Sequence, residues 1–146
     1  MDGVDLNGPA DRLNRPLVVF GGSGQVGRQL RLSLAPLGSV IAPTRAEADL
    51  TDPDSLRTVI ERVRPRVIVN AAALTNVDHA ERDPALANAV NTIAPRVMAE
   101  AARRVGALMV HYSTDYVFDG ASRVPYDEEA EPNPMMLPGA NNLSMR

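Results

Sequence analysis

The run Leu17-Val18-Val19-Phe20-Gly21-Gly22-Ser23-Gly24-Gln25-Val26-Gly27 confines the start of this chain to a narrow set of folds. Apolar residues that stop at glycine suit a parallel strand buried on both faces. Beyond the glycines, Val26, Leu30 and Leu34 recur at helical spacing, so the run reads as strand, turn, helix. Each glycine then has a reason: Gly21 permits the tight turn, Gly24 lets backbone approach a pyrophosphate, and Gly27 lets helix and strand pack closely. Free N–H groups at the helix start would face the anion. The spacing, Gly-x-x-Gly-x-x-Gly, is weak alone. Its place between strand and helix makes it a nucleotide-binding candidate rather than a glycine-rich turn.

The rest of the chain repeats the alternation. Ser39 to Ala42 predicts a second strand, and Asp52-Pro53 an N-cap with proline at the first helical position. Leu56, Val59, Ile60 and Val63 form that helix's apolar stripe, which Pro65 ends. Val67-Ile68-Val69 is a third strand. Asp83-Pro84 opens a helix that runs past Pro95, where it should kink, to Val105, with Gly106 as C-cap. Leu108 to Tyr112 is a fourth strand. The order β-α-β-α-β-α-β implies an α/β fold with a Rossmann-like doubly wound parallel sheet. Residues 1–16 read as a mobile tail, 17–118 as the nucleotide-binding domain, and 119–146 as a loop-rich tail carrying Pro125, Pro132, Pro134 and Pro138.

Composition excludes several alternatives. No cysteine is present among the 146 residues, which removes disulfides, thiolate nucleophiles and cysteine-ligated metals. His79 and His111 are far apart in sequence, and no metal ligands are assigned. Charges are interspersed with a formal net of -3, so no nucleic-acid partner is expected. No apolar stretch approaches the ~18 to 20 residues of a membrane helix, and residues 1–16 carry no signal-peptide core. A cytoplasmic protein without a membrane partner is the simplest expectation.

In NAD sites an acid about 20 residues beyond the glycines accepts the ribose hydroxyls, whereas an Arg accommodates the NADP phosphate. Here that position is Thr44, followed by Arg45. NADP(H) is therefore preferred over NAD(H), although Arg45 also fits a solvated surface residue. Asp49 and Leu50 are candidates to flank the adenine, or simply loop residues.

Two further segments carry a resemblance: Val69-Asn70-Ala71-Ala72-Ala73-Leu74-Thr75-Asn76-Val77-Asp78, with Ala80-Glu81 following, and Tyr112-Ser113-Thr114-Asp115-Tyr116-Val117-Phe118-Asp119-Gly120. With the glycine turn, and with Val90-Asn91 and Ala94-Pro95 between them, they resemble the dTDP-4-dehydrorhamnose reductase family of extended short-chain dehydrogenase/reductases. The resemblance implies hydride transfer from a nicotinamide cofactor to the 4-keto group of a deoxysugar nucleotide, completing dTDP-L-rhamnose. It places Gly24, Gln25 and Val26 at the pyrophosphate, Asp49 and Leu50 at the adenine, and Ala72, Ala73, Leu74 and Thr75 at the ribose and nicotinamide. Tyr112 would lie against the cofactor, Thr114 would stand for the catalytic Ser, and Asp115 would touch the sugar.

The chain departs from the family where the proton donor belongs. The family's Tyr, with a Lys four residues on, aligns with Pro138 and Asn142. Pro has no proton to give, and Asn carries no positive charge. General acid catalysis contributes ~10² to 10⁴ in rate, so this chain is expected to bind cofactor without turnover. A non-catalytic nucleotide-binding or regulatory module, or an inactive gene fragment, are the alternatives. The chain stops at Arg146, about half the length of such a reductase and before its substrate-binding region. In a sheet of order 3-2-1-4-5-6 the fourth strand would be a bare edge, and self-association through it is expected.

Overall fold

Strand β1, Leu17–Phe20, is buried at every residue, as a strand covered on both faces must be. In this computed structural model, which describes residues 13–135 and Ala140, β1 lies at the centre of a four-stranded parallel sheet. It pairs with β2, Val40–Ile41, on one side and with β3, Val67–Asn70, on the other. Strand β4, Leu108–His111, pairs with the outer side of β3. The order β2-β1-β3-β4 corrects the expected 3-2-1-4 arrangement. No strand forms between β2 and the next helix, and the third strand takes the open edge of β1 instead of continuing outward past β2. The winding direction therefore reverses between β1 and β3, and a doubly wound sheet opens its ligand crevice at that reversal, beyond the carboxyl ends of the strands.

The helices follow local chemistry. Helix α1, Gln25–Leu34, starts at the glycine turn and packs on β1. Helix α2, Pro53–Val63, is capped by the Asp52 carboxylate, which accepts from the N–H groups of Asp54 and Ser55. It ends on Arg64 at φ 46, ahead of Pro65. Its Leu56 and Ile60 are fully buried against Val18, Phe20 and Ile68 of the sheet, each such side chain contributing about 1.5 to 3 kcal/mol. Helix α3, Val77–Arg82, lies where only loop was expected, with Asn76 accepting from His79 N–H.

The single helix expected from Pro84 to Val105 is divided into α4, Pro84–Asn88, a π turn, Ala89–Ile93, and α5, Ala94–Val105. Pro95 offers no N–H, and its ring crowds the carbonyl four residues back, that of Asn91. The wider turn just before the proline takes up this misfit, so a π turn replaces the expected kink. Helix α5 ends at Gly106, φ 67, and packs beside α2 on the same face of the sheet. Arg15 closes both helix ends: its Nε donates to Arg64 O at 2.5 Å and its Nη2 to Val105 O at 2.7 Å, placing a cation where two helix dipoles are negative.

On β4 the alternate residues Leu108 and Val110 are 64% and 41% exposed, and its outer edge is unpaired among the described residues. Beyond it the described residues make one 3₁₀ turn, Asp115–Val117, and then run as loop as far as Met135. That loop is pinned at Asp119, whose carboxylate accepts from Ala121 N–H at 2.9 Å, Tyr126 O–H at 2.7 Å and Asn133 Nδ2 at 2.9 Å. Tyr126 stacks on Phe118 with ring centres 4.3 Å apart. Among the described residues no helix is long and apolar enough to cross a membrane.

Candidate nucleotide site

The glycine turn is built by contacts that no side chain could survive. A Cβ on Gly27 would stand 2.1 Å from Gly21 O, and one on Gly21, at φ +76, only 2.7 Å from Ala72 N. Gly24 N–H donates to Gly21 O at 2.9 Å, and Gly24 is the N-cap residue of α1. No side chain caps this helix and no acid lies in its first turn, whereas α2, α3 and α4 are capped by Asp52, Asn76 and Asp83. The first N–H groups of α1 thus have no side-chain acceptor at its N-cap.

A cavity of about 480 Å³ opens beside this turn. Gly21, Arg45, Asp49 and Leu50 line it, with Ala72, Ala73 and Leu74 on the far wall. The same three residues also form a wall of a second cavity of about 280 Å³, where Val26, Thr75, Tyr112 and Thr114 come together. Most of the residues singled out from the sequence therefore surround two adjoining spaces. Gln25 faces a shallow groove on α1 with Val26 and Tyr112, and Gly27 is buried beneath the turn. Asp115 lines a different cavity, with Phe118 and Tyr126, and not the one that Thr114 lines. Thr114 itself caps the following 3₁₀ turn: its hydroxyl accepts from Tyr116 N–H and donates to Asp115 Oδ1, both at 3.3 Å. Pro138 and Asn142 lie outside the described residues.

Electrostatics at the first cavity are set by short loop contacts. Asp49 Oδ1 accepts from the N–H and hydroxyl of Thr51 at 2.8 and 2.7 Å, and Oδ2 from Arg45 Nε at 3.2 Å. The Thr51 bonds first, and Arg45 after them, hold the Asp49 carboxyl below its ordinary value. Glu47 is lowered as well, chiefly by Thr44, whose N–H and Oγ1 both reach its Oε2 at 2.8 Å.

Asn70 and Asn91, which the sequence showed only as members of the resembling segments and without a role, hold the shared wall. Asn91, 2% exposed in the π turn, accepts from Leu74 N–H at 2.8 Å and donates to Leu74 O at 3.0 Å. Asn70, at the end of β3, accepts from Ala72 N–H at 3.1 Å, and its amide nitrogen lies 3.2 Å from His111 Nδ1. Buried amides on an otherwise apolar strand and helix were the available signal.

A parallel sheet, a glycine turn at its topological switch point and an uncapped helix start together define a Rossmann-like α/β fold. Within that class, residues 15–145 match the family described as the RmlD substrate binding domain, and the chain belongs to it. It is 50% identical over 127 residues to a dTDP-4-dehydrorhamnose reductase of Burkholderia thailandensis, covering 87% of this chain and 43% of that protein. It is 41% identical over 133 residues to the Escherichia coli reductase, covering 88% and 44%. The crystal structure of the Bacillus anthracis reductase in complex with NADP superposes with a TM-score of 0.85 at 35% identity, over 90% of this chain and 47% of that one. The chain spans less than half the length of these relatives.

Proposed function

We propose that this chain binds a nicotinamide dinucleotide, NADP(H) in preference to NAD(H), at the glycine turn and in the cavity beside it. The observation that carries this reading is the helix start of α1, left without a side-chain cap where a 480 Å³ cavity opens at the switch point. The residues fit the group: a Cβ on Gly24 would meet only Gly21 O, at 3.3 Å, so the glycine keeps open the approach that a pyrophosphate needs. Gly24, Gln25 and Val26 would hold the pyrophosphate through backbone N–H groups, with Gly21 and Gly27 shaping the turn. Asp49 and Leu50 would flank the adenine, Arg45 would meet the 2′-phosphate, and Ala72, Ala73, Leu74, Thr75 and Tyr112 would border the ribose and nicotinamide.

When bound, the nicotinamide supplies hydride for a keto group, and in the family reading that group is the 4-keto of a deoxysugar nucleotide. Thr114 would donate a hydrogen bond to the oxygen that gains charge, giving up the one it makes to Asp115, while Asp115 would touch the sugar. A general acid is lacking. Pro138 and Asn142 stand where the family's Tyr and Lys belong, and the 146 residues contain no lysine. Binding without turnover follows. Exposed Leu108 and Val110 on β4, whose outer edge is unpaired among the described residues, further support self-association. A cytoplasmic location belongs to the same reading, since a cysteine-free chain needs no oxidising compartment to fold.

The test is a fluorescence titration with NADPH and NADH, followed by an assay of dTDP-4-keto-6-deoxysugar reduction and by size-exclusion chromatography. Binding without reduction is expected, in an associated state. Reduction by the purified chain would overturn the inactivity reading, failure to bind either nucleotide the whole proposal, and a monodisperse monomer the self-association.

A further inference from the structure

Thr44 stands at the end of the β2 segment, where an acid would serve ribose hydroxyls, and its two donors are already engaged by an anion. Its N–H and its Oγ1 converge on a single oxygen, Oε2 of Glu47, each at 2.8 Å. The Thr-x-x-Glu spacing is that of a capping box, but only part of the box is made: Glu47 N–H bonds the Thr44 carbonyl at 3.1 Å, not its hydroxyl. What remains is a pair of convergent donors on Thr44, a residue that lines the 480 Å³ cavity, holding the carboxylate of Glu47, which does not line it.

Two arginines border the same cavity. Arg45 is tied to Asp49 at 3.2 Å with its side chain 80% exposed. Arg31 comes from α1 on the opposite side and, among the described residues, has no ion-pair partner. Its stem passes over Gly22. A Cβ there would stand 3.2 Å from Arg31 Cδ and 2.6 Å from Ala42 Cβ, so the missing side chain at Gly22 is what lets Arg31 lie between the glycine turn and the end of β2. The cation that acts on Glu47 itself is Arg62; within the cavity, Arg31, Arg45 and Thr44 together would offer an anion two guanidiniums, an N–H and a hydroxyl. That donor set suits a phosphate monoester and exceeds what a ribose hydroxyl requires.

Resting on the dinucleotide reading above, we propose that Arg31, Arg45 and Thr44 form the subsite for the 2′-phosphate of NADP(H), and that Glu47 is an internal anion which this phosphate displaces. Glu47 is thereby a specificity residue. It weakens selection for the phosphorylated cofactor by holding the Thr44 donors and by opposing a second negative charge, while leaving NADH untouched. A glutamate is ionised at neutral pH, and the Thr44 bonds hold this carboxyl below its ordinary value.

The experiment compares the full chain with Glu47→Gln and Arg31→Gln by fluorescence titration of NADPH and of NADH, with circular dichroism as the check on folding. Both positions are exposed, and the amide that Glu47→Gln introduces can still accept the Thr44 N–H through its oxygen. Glu47→Gln is expected to tighten NADPH about five- to tenfold and to leave NADH within about twofold. Arg31→Gln is expected to weaken NADPH by about the same factor, again sparing NADH. If Glu47→Gln leaves NADPH unchanged, or shifts both nucleotides equally, the displacement is refuted and Glu47 only closes a turn. If Arg31→Gln leaves NADPH unchanged, the assignment of Arg31 falls. An unsubstituted chain that binds neither nucleotide removes the dinucleotide reading and this subsite with it, whereas normal binding with inert variants removes the subsite alone.

Discussion

Replacing Asn91 should release the wall that both cavities share. Its amide makes two bonds to one residue, accepting from Leu74 N–H at 2.8 Å and donating to Leu74 O at 3.0 Å, and it is 2% exposed. Removing the amide leaves a donor and an acceptor of the loop without partners, each costing about 1 to 2 kcal/mol in a partly buried setting, so Asn91→Ala should lose about 2 to 4 kcal/mol. With an unfolding entropy of about 2.1 cal/mol/K per residue, that corresponds to a fall in Tm of about 7 to 13 °C. Asn91→Leu preserves most of the volume and none of the hydrogen bonds, so it should retain most of the loss. Thermal unfolding by circular dichroism reads the global effect. Hydrogen exchange at Leu74 reads the local one, where a loss of protection of about 30-fold or more is expected. An Asn91→Leu protein with unchanged Tm and unchanged exchange at Leu74 would refute the clamp, since volume alone would then explain the buried residue.

Gly27→Ala places a methyl 2.1 Å from Gly21 O and 2.8 Å from Gly22 Cα, both backbone, so a loss above about 3 kcal/mol or no soluble fold is expected in denaturant titration, while Gly24→Ala should fold and lose nucleotide affinity. Near-wild-type stability of Gly27→Ala would show the turn to be soft. The Asp119 carboxyl is held below the ordinary 3.8, first by Ala121 N–H and then by Tyr126 and Asn133. A depressed acid contributes stability above its unfolded value and loses it as pH falls through the folded one, so the loop after Phe118 should loosen only below pH 3.8. Asp119→Asn should mimic this at neutral pH and speed trypsin cleavage at Arg123. Equal cleavage rates would mean that the carboxylate does not pin the loop.

What was legible in the sequence is what local chemistry decides. The buried strand ending at Gly21, the Asp52-Pro53 and Asp83-Pro84 helix starts and the Gly106 stop each carry their cause within a few residues, and each lies where the chemistry put it. Strand order was not legible, because either neighbouring edge offers the third strand the same parallel hydrogen bonds. The choice is made by where α2 finds room to pack, which is a tertiary matter. Helix α3 escaped notice for a different reason: Val77 and Ala80 are its apolar residues, with Asp78, His79, Glu81 and Arg82 between and after them, so no stripe announces it.

The site divides in the same way. Glycines reveal themselves because their use is conformational, and a family-like segment reveals Ala72 to Thr75, but the residues that fix the geometry resemble ordinary surface or core positions until the chain is folded. Arg31 reads as one more solvated arginine on a helix, yet it reaches a cavity formed by a loop well beyond it in the chain only because Gly22 and Ala42 leave a channel for its stem. Asn91 reads as a polar interruption. Its position depends on Pro95, which cannot donate in a helix and forces a wider turn one step earlier, on the residues that carry the Leu74 clamp. Proline and amide therefore act together: restoring a regular helix with Pro95→Ala would remove the steric reason for the π turn and draw the Asn91 amide away from Leu74, even though residue 95 itself lines neither cavity.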